Sequence, residues 1–281
     1  MRISLVILLF TLTYNVSAQY WFGPKIGAHR TDFIYQEPEY PKDSFDVNFD
    51  YGGLYGFTVI YQATERYAVQ GDLSFIRVNK KLVNKPNFIT PVESNMNINY
   101  LSLPLSFRFN FGGTPIHYYV SGGPVINFWL SGAGEIYVED FEEEDGYTEP
   151  VPYKVVFNQR KGGTFEQRAV VEANRFQYGL QFGAGIYFDL MSAGRFLIDV
   201  KYIFGHSNMG FNDNPDFSDF DYYSENFTFR NNTLSASIAY LFLFDPVLNK
   251  RGRSNNQLTK DQNKKEDKRR FTRRKKYKQK L

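Results

Sequence analysis

Three histidines, His29, His117 and His206, are the only imidazoles in the 281-residue chain, and cysteine is absent. Without thiols there is no disulfide scaffold, Cys-ligated zinc, thiol nucleophile or lipid attachment at a cysteine. His29 has Asp32 nearby in sequence and His206 is followed by Ser207. These are ingredients of acyl transfer, but no Gly-x-Ser-x-Gly elbow or other nucleophile motif accompanies them. We expect no catalytic residue, no cofactor and no enzyme. Carboxylates crowd two segments: Glu139-Asp140-Phe141-Glu142-Glu143-Glu144-Asp145, and Asp213, Asp216, Asp219 and Asp221 interleaved with Phe211, Phe217 and Phe220. Oxygen ligands suit divalent cations, yet the spacing lacks the Gly and terminal Glu of an EF-hand. They are expected to be solvated loops, with no metal site. The aromatics among the aspartates also permit a protein-binding surface.

Between these clusters the sequence repeats with a period of two. In 101–111, Leu101, Leu103, Leu105, Phe107, Phe109 and Phe111 alternate with Ser102, Pro104, Ser106, Arg108 and Asn110. In 176–189, Phe176, Tyr178, Leu180, Phe182, Ala184, Ile186 and Phe188 alternate with Gln177, Gly179, Gln181, Gly183, Gly185, Tyr187 and Asp189. Aromatic residues make up 18% of the chain, while the mean hydropathy is only −0.44. Rings on one face of a sheet and small polar residues on the other reconcile those values. Strict alternation over about ten residues between turns is the pattern of a transmembrane β-barrel.

Eight such strands are predicted near 20–32, 50–63, 67–80, 97–110, 116–131, 175–190, 195–205 and 229–244. The connections at 64–66, 112–114 and 191–194 are tight, whereas those near 33–49, 81–96, 132–174 and 206–228 are long. Short turns at one end and long loops at the other are the asymmetry of an outer-membrane barrel, with both termini in the periplasm. The segments 153–158 and 164–171 read as a hairpin above the membrane. If they span instead, the barrel has ten strands.

An eight-stranded barrel has a bore filled by its own side chains. Alternation points Lys25, Asp72, Arg108, Asp199 and Lys201 inward, and buried charges must pair because each unpaired one costs several kcal/mol. We expect a structural network of ion pairs, with Arg108 and Asp199 belonging to it, rather than a pore. On the last strand, Leu234, Ala236, Ile238, Tyr240 and Phe242 should face lipid and Ser235, Ser237 and Ala239 the lumen. Asp at Ile238 should therefore cost more than Asp at Ser237.

The net charge of +3 conceals a division: residues 245–281 hold 15 Lys and Arg against 4 Asp and Glu. Residues 1–18 carry Arg2, an apolar run over 3–12 and Val16-Ser17-Ala18 before Gln19, which is the three-part pattern of a secretory signal peptide. The domain plan is thus signal peptide 1–18, barrel 19–244 and a disordered basic tail 245–281 in the periplasm. The tail's densest part contains Lys268, Arg269, Arg270, Arg273, Arg274, Lys275 and Lys276. In an exported protein such a run meets no nucleic acid. Its expected partners are anionic: cell wall, phosphorylated lipid heads or an acidic protein.

Four motifs carry a family resemblance. Tyr100-Leu101-Ser102-Leu103-Pro104-Leu105, followed by Arg108 and a Gly turn, resembles the Y-L-x-[IL]-P-L strand of PorT-family barrels. Tyr118-Tyr119-Val120-Ser121-Gly122-Gly123-Pro124 is similar to that family's next strand. Asp199-Val200-Lys201-Tyr202, with Gly205 and Asn208, resembles its penultimate strand, and Phe22-Gly23-Pro24-Lys25-Ile26-Gly27 its first. The resemblance spans roughly 19–244. It implies an eight-stranded, non-enzymatic outer-membrane barrel of Bacteroidota, embedded in outer-membrane lipid. It further implies partners among secretion-complex proteins, since the family's namesake takes part in type IX secretion. The long basic tail is not part of the family's common pattern. On these grounds the chain reads as a structural or interaction component of the cell envelope, with a small channel as the alternative and a surface enzyme as a more remote one.

Overall fold

The computed structural model describes residues 19–36, 45–49, 51–84, 92–138, 150–158, 167–170, 172–190, 194–210 and 227–244. The signal peptide, the basic tail and both acidic segments of the sequence reading lie outside these residues. The strands are β1 (Gln19–Tyr35), β2 (Phe45–Phe49), β3 (Tyr51–Gln62), β4 (Tyr67–Asn84), β5 (Val92–Gly113), β6 (Ile116–Val138), β7 (Val151–Phe157), β8 (Gln167–Val170), β9 (Phe176–Leu190), β10 (Gly194–Gly205) and β11 (Phe229–Phe244).

Eight of them close a ring. β1 pairs with β3, β3 with β4, β4 with β5, β5 with β6, β6 with β9, β9 with β10 and β10 with β11, all antiparallel. β11 is hydrogen-bonded beside β1, so the sheet has no free edge across the membrane. The fold is an all-β, eight-stranded transmembrane barrel, not one of ten strands. Its core strands coincide with those predicted, but several run further toward the loop end: β4 to Asn84, β5 from Val92 and β6 to Val138. At the opposite end the connections are tight. Tyr67 N donates to Thr64 Oγ1 (3.0 Å) between β3 and β4, and Gly112 adopts φ +99° ahead of Thr114-Pro115, a backbone state in which a Cβ is disfavoured.

Alternation sorts the side chains as the sequence implies. Ile26, Phe57, Leu105, Phe107, Tyr178, Leu180 and Phe182 are all more than half exposed, while the residues between them are largely buried. In water that apolar area would be costly, at about 25 cal/mol per Å²; in a bilayer it is the solvated face. On β11, Leu234, Ile238 and Phe242 face outward and Ser235, Ser237 and Ala239 inward.

The periodicity breaks once. The β5–β6 register shifts between Asn99 and Tyr100, so that Asn99 opposes Ser131 but Tyr100 opposes Trp129. The extra residue, Leu130, is a bulge, and it inverts the parity of β6. Trp129 and Ile136 consequently both point inward.

The hairpin expected from 153–158 and 164–171 is corrected. β7 and β8 pair in parallel, Lys154 opposite Gln167 through Phe157 opposite Val170. β7 in turn lies antiparallel on β6 at Ala133–Ile136, beyond the point where β9 begins opposite Phe128. The physical reason is the apolar face of β7. Val151, Tyr153 and Val155 alternate with polar or exposed neighbours and need an apolar surface. They find it in Val78, Leu82, Met96, Ile98 and Ile136, which line the loop end of the lumen.

Candidate functional site

The interior falls into three layers stacked along the bore. At the turn end Trp21, Ile60, Ala68, Tyr119, Tyr187, Leu197, Ala239 and Leu241 form a small apolar cluster. At the loop end lies the larger cluster that β7 and β8 complete, with Trp129, Phe227 and Phe229 fully buried. Between them the lumen is polar.

That middle layer is built by register. Lys25 on β1 faces inward opposite Gly56, and Thr58 on β3 stands opposite Asp72 on β4. Asp199 and Lys201 on β10 stand opposite Ser237 and Ser235 on β11 and, on the other side, Gly185 and Gly183 on β9. Small partners leave room for long side chains. A Cβ at Gly183 would stand 2.8 Å from Lys201 Cγ, so the lysine stem occupies what another residue would fill.

Four of the five predicted lumen charges meet as a quartet. Lys25 Nζ donates to Asp72 Oδ2 (3.0 Å) and Asp199 Oδ2 (3.3 Å). Lys201 Nζ donates to Asp72 Oδ2 at 2.6 Å and lies 3.8 Å from Asp199 Oδ2. The remaining carboxylate lone pairs are also used: Thr58 Oγ1 (2.9 Å) and Gln70 Nε2 (2.8 Å) donate to Asp72 Oδ1, and Ser237 Oγ donates to Asp199 Oδ1 (2.5 Å). Two ammonium groups and two carboxylates make the quartet neutral, and each side chain is about 5% exposed or less. Extra hydrogen bonds of this kind are what allow charges to remain in a dry interior.

Arg108 joins otherwise than expected. It makes no ion pair with Asp199 among the described contacts. Its guanidinium lies 3.6 Å from the centre of the Tyr119 ring, and Nη1 donates to Gln70 Oε1 (3.1 Å). Gln70 is therefore the link from Arg108 to Asp72, a link that alternation of charged residues alone does not reveal. Toward the turn end Arg195 is sandwiched between the Trp21 and Tyr187 rings, 4.1 and 4.0 Å away, and pairs with Asp189 at 2.7 Å.

Two more buried cations lie toward the loop end: Lys80, the last residue of the predicted strand 67–80, and Arg168, in a segment expected above the membrane. Lys80 Nζ lies 4.1 Å from the Phe229 ring centre, 5.1 Å from Tyr35 and 5.3 Å from Phe33. Arg168, on β8, stands 4.5 Å from the Phe227 ring and directs Nη1 toward Met96 Sδ (4.0 Å). Aromatic faces attract desolvated cations.

The histidines do not assemble a site. His29 is buried: its Nε2 donates to the Arg77 carbonyl (3.0 Å), and Nδ1 lies 3.2 Å from Thr31 Oγ1. His206 is exposed, and Ser207 Oγ bonds the backbone of Tyr178 instead of an imidazole. His117 stacks on Tyr187 (4.7 Å) at the turn end, near Asp189. No cluster of three His, Asp or Glu able to hold a metal occurs among the described residues.

Comparison with known proteins agrees with the ring of strands. A model of the "outer membrane protein beta-barrel domain" family matches residues 16–214. Among solved structures, OprG of Pseudomonas aeruginosa is similar with a TM-score of 0.44 and 10% identity, over 83% of this chain and 98% of that one. Ail of Yersinia pestis, solved with a heparin analogue, has a TM-score of 0.35 and 12% identity over 80% and 99%. No curated protein matches the chain. The family match covers most of the sequence and takes in seven of the eight ring strands, β1 through β10, while β11 lies beyond it. This chain belongs to the outer-membrane protein β-barrel domain family, whose place is the Gram-negative outer membrane.

Proposed function

We propose that the protein is a closed, non-conducting barrel that serves the envelope as a structural and interaction component, without enzymatic activity. The observation that carries this reading is the neutral quartet of Lys25, Asp72, Asp199 and Lys201, set between two apolar layers. A conducting lumen would need a continuous wet path, and here the charges that would line it are committed to one another.

The PorT-like motifs on β1, β5, β6 and β10 support a finer role in type IX secretion in a bacterium of the Bacteroidota. In this reading residues 1–18 direct export, the long loops face outside and both termini of the barrel lie in the periplasm. The tail, with Lys268, Arg269, Arg270, Arg273, Arg274, Lys275 and Lys276 at its densest, then offers a basic surface to cell-wall carboxylates or an acidic partner. Each cation near an anionic surface contributes on the order of 1 kcal/mol, and this falls off over a Debye length of about 8 Å.

The test is capture from native outer membrane with the full chain and with a chain lacking 250–281, at low and high salt. Salt-labile co-purification of envelope or secretion proteins that disappears with the tail is the expected outcome. Equal capture by both chains removes the tail from the account, and cleavage of the tail by protease outside intact cells reverses the topology.

A further inference from the structure

The backbone hydrogen-bond ladder between β10 and β11 is interrupted toward the loop end. Their pairing ends at Phe204 opposite Asn232, and the next amide, Gly205 N, donates to the Asn232 side chain (3.1 Å) instead of a backbone carbonyl. His206 N and Ser207 N both turn to the Tyr178 carbonyl on β9. Further along, Met209 N donates to Phe229 O (2.9 Å). Over this stretch, on the lipid side of β6, β9, β10 and β11, lies a cleft of about 680 Å³. Ile126, Tyr178, Leu180 and Phe204 form its apolar walls, and His206 and Arg230 stand at its loop-end margin. The walls belong to the band of rings and aliphatic residues that faces the bilayer. On β10 and β11 that band gives way to polar residues between Phe204 and His206 and between Leu234 and Asn232.

The rim cations differ in what they already hold. Arg30 pairs with Asp32 at 3.2 Å. Arg175 donates to the Trp129 and Leu130 carbonyls and packs on Phe128 and Phe157. Arg230 is exposed and makes no ion pair or side-chain hydrogen bond among the described residues. A guanidinium at the polar margin of an apolar cleft, at the depth where the apolar band ends, complements a ligand with an anionic head and a hydrocarbon body. We propose that this cleft binds a membrane lipid through a phosphorylated headgroup, with Arg230 forking the phosphate and an acyl chain lying along Leu180, Ile126 and Phe204. The bilayer supplies such molecules at that depth, and the site needs no partner protein.

The experiment uses the full-length barrel in mixed micelles of phosphatidate and phosphatidylcholine with identical oleoyl chains, with retained lipid read by native mass spectrometry. The wild type is expected to retain phosphatidate in preference. Arg230→Ala should lower that preference about tenfold, the size of one charge-assisted contact, while Arg230→Lys keeps most of it. Leu180→Trp, which fills the cleft, should lower retention of both lipids, and Arg66→Ala at the turn end should change neither. Heat-modified gel mobility verifies that each variant is folded, and Arg230→Gln, with the same expected loss of preference, serves if Arg230→Ala is not. An unchanged preference in Arg230→Ala, or retention undiminished in Leu180→Trp, would overturn the site. Displacement of the lipid by inorganic phosphate alone would show an anion site in place of a lipid site and would equally contradict the proposal.

Discussion

The middle and the loop end of the lumen surround their buried cations with different groups. In the middle, Lys25 and Lys201 are held by Asp72 and Asp199, and hydroxyls and amides complete the shell around each carboxylate. At the loop end, the groups packed against Lys80 and Arg168 include the rings of Phe33, Tyr35, Phe229 and Phe227. Ion pairing is stoichiometric, so removal of one member strands another. A ring that faces a cation loses little when the cation leaves, because it remains a well-packed apolar group. The two regions should therefore respond differently to the same chemical change.

The largest effect is expected at Asp72, which accepts from both lysines. Asp72→Ala leaves two ammonium groups against one carboxylate and should destabilise the barrel by about 3–5 kcal/mol. Adding Lys201→Met to that variant should recover part of the loss, as measured by urea unfolding in lipid vesicles. If the second substitution only adds to the first, the quartet is not a coupled unit.

The next effect concerns β11. Ile238→Asp places a carboxylate on the lipid face, at a cost below the roughly 2–4 kcal/mol of Arg or Lys at mid-depth. The sequence suggests that Asp at Ser237 is the milder change, since Ser237 faces the lumen. The structure reverses this expectation, because Ser237 Oγ donates to Asp199 Oδ1. Ser237→Asp replaces that donor with a third carboxylate in a neutral quartet and should cost at least as much as Ile238→Asp. A clearly more stable Ser237→Asp variant would contradict the assigned geometry.

Lys80→Met sharpens the contrast directly. It retains the apolar stem among the rings, whose cation–π contribution is about 2 kcal/mol, and should cost less than Lys201→Met, which should approach the cost of Asp72→Ala. Smaller still is the direct coupling of Arg108 to Asp199. A double-mutant cycle should give under about 0.5 kcal/mol for that pair and about 1 kcal/mol for Arg108 with Tyr119.

How much of this was legible depended on whether a residue lay in a regular strand. Period-two alternation located all eight ring strands and placed Lys25, Asp72, Arg108, Asp199 and Lys201 inside, because a barrel strand obeys one rule along its length. It could not identify Gln70 as the bridge from Arg108 to Asp72, since that depends on which strands close against one another. The bulge at Leu130 defeated alternation by inverting it. Arg168 and the parallel pairing of β7 with β8 were hidden for a related reason: segments beyond the membrane have no fixed period, and their inward faces are set by what the barrel end leaves uncovered. Lys80 keeps the inward parity of Asp72 on β4, but it stands at the end of the predicted strand, where a lysine is ordinarily solvated.

In the function proposed above, the paired quartet and its flanking layers close the lumen. Single-channel recording of the purified full-length protein in planar bilayers tests it most directly. The wild type should show no resolved ion-conducting steps, with conductance only once the quartet is dismantled, as in a variant carrying both Asp72→Ala and Lys201→Ala. Stable, regular steps from the wild-type barrel, unchanged in that variant, would show that ions pass by a route the quartet does not close.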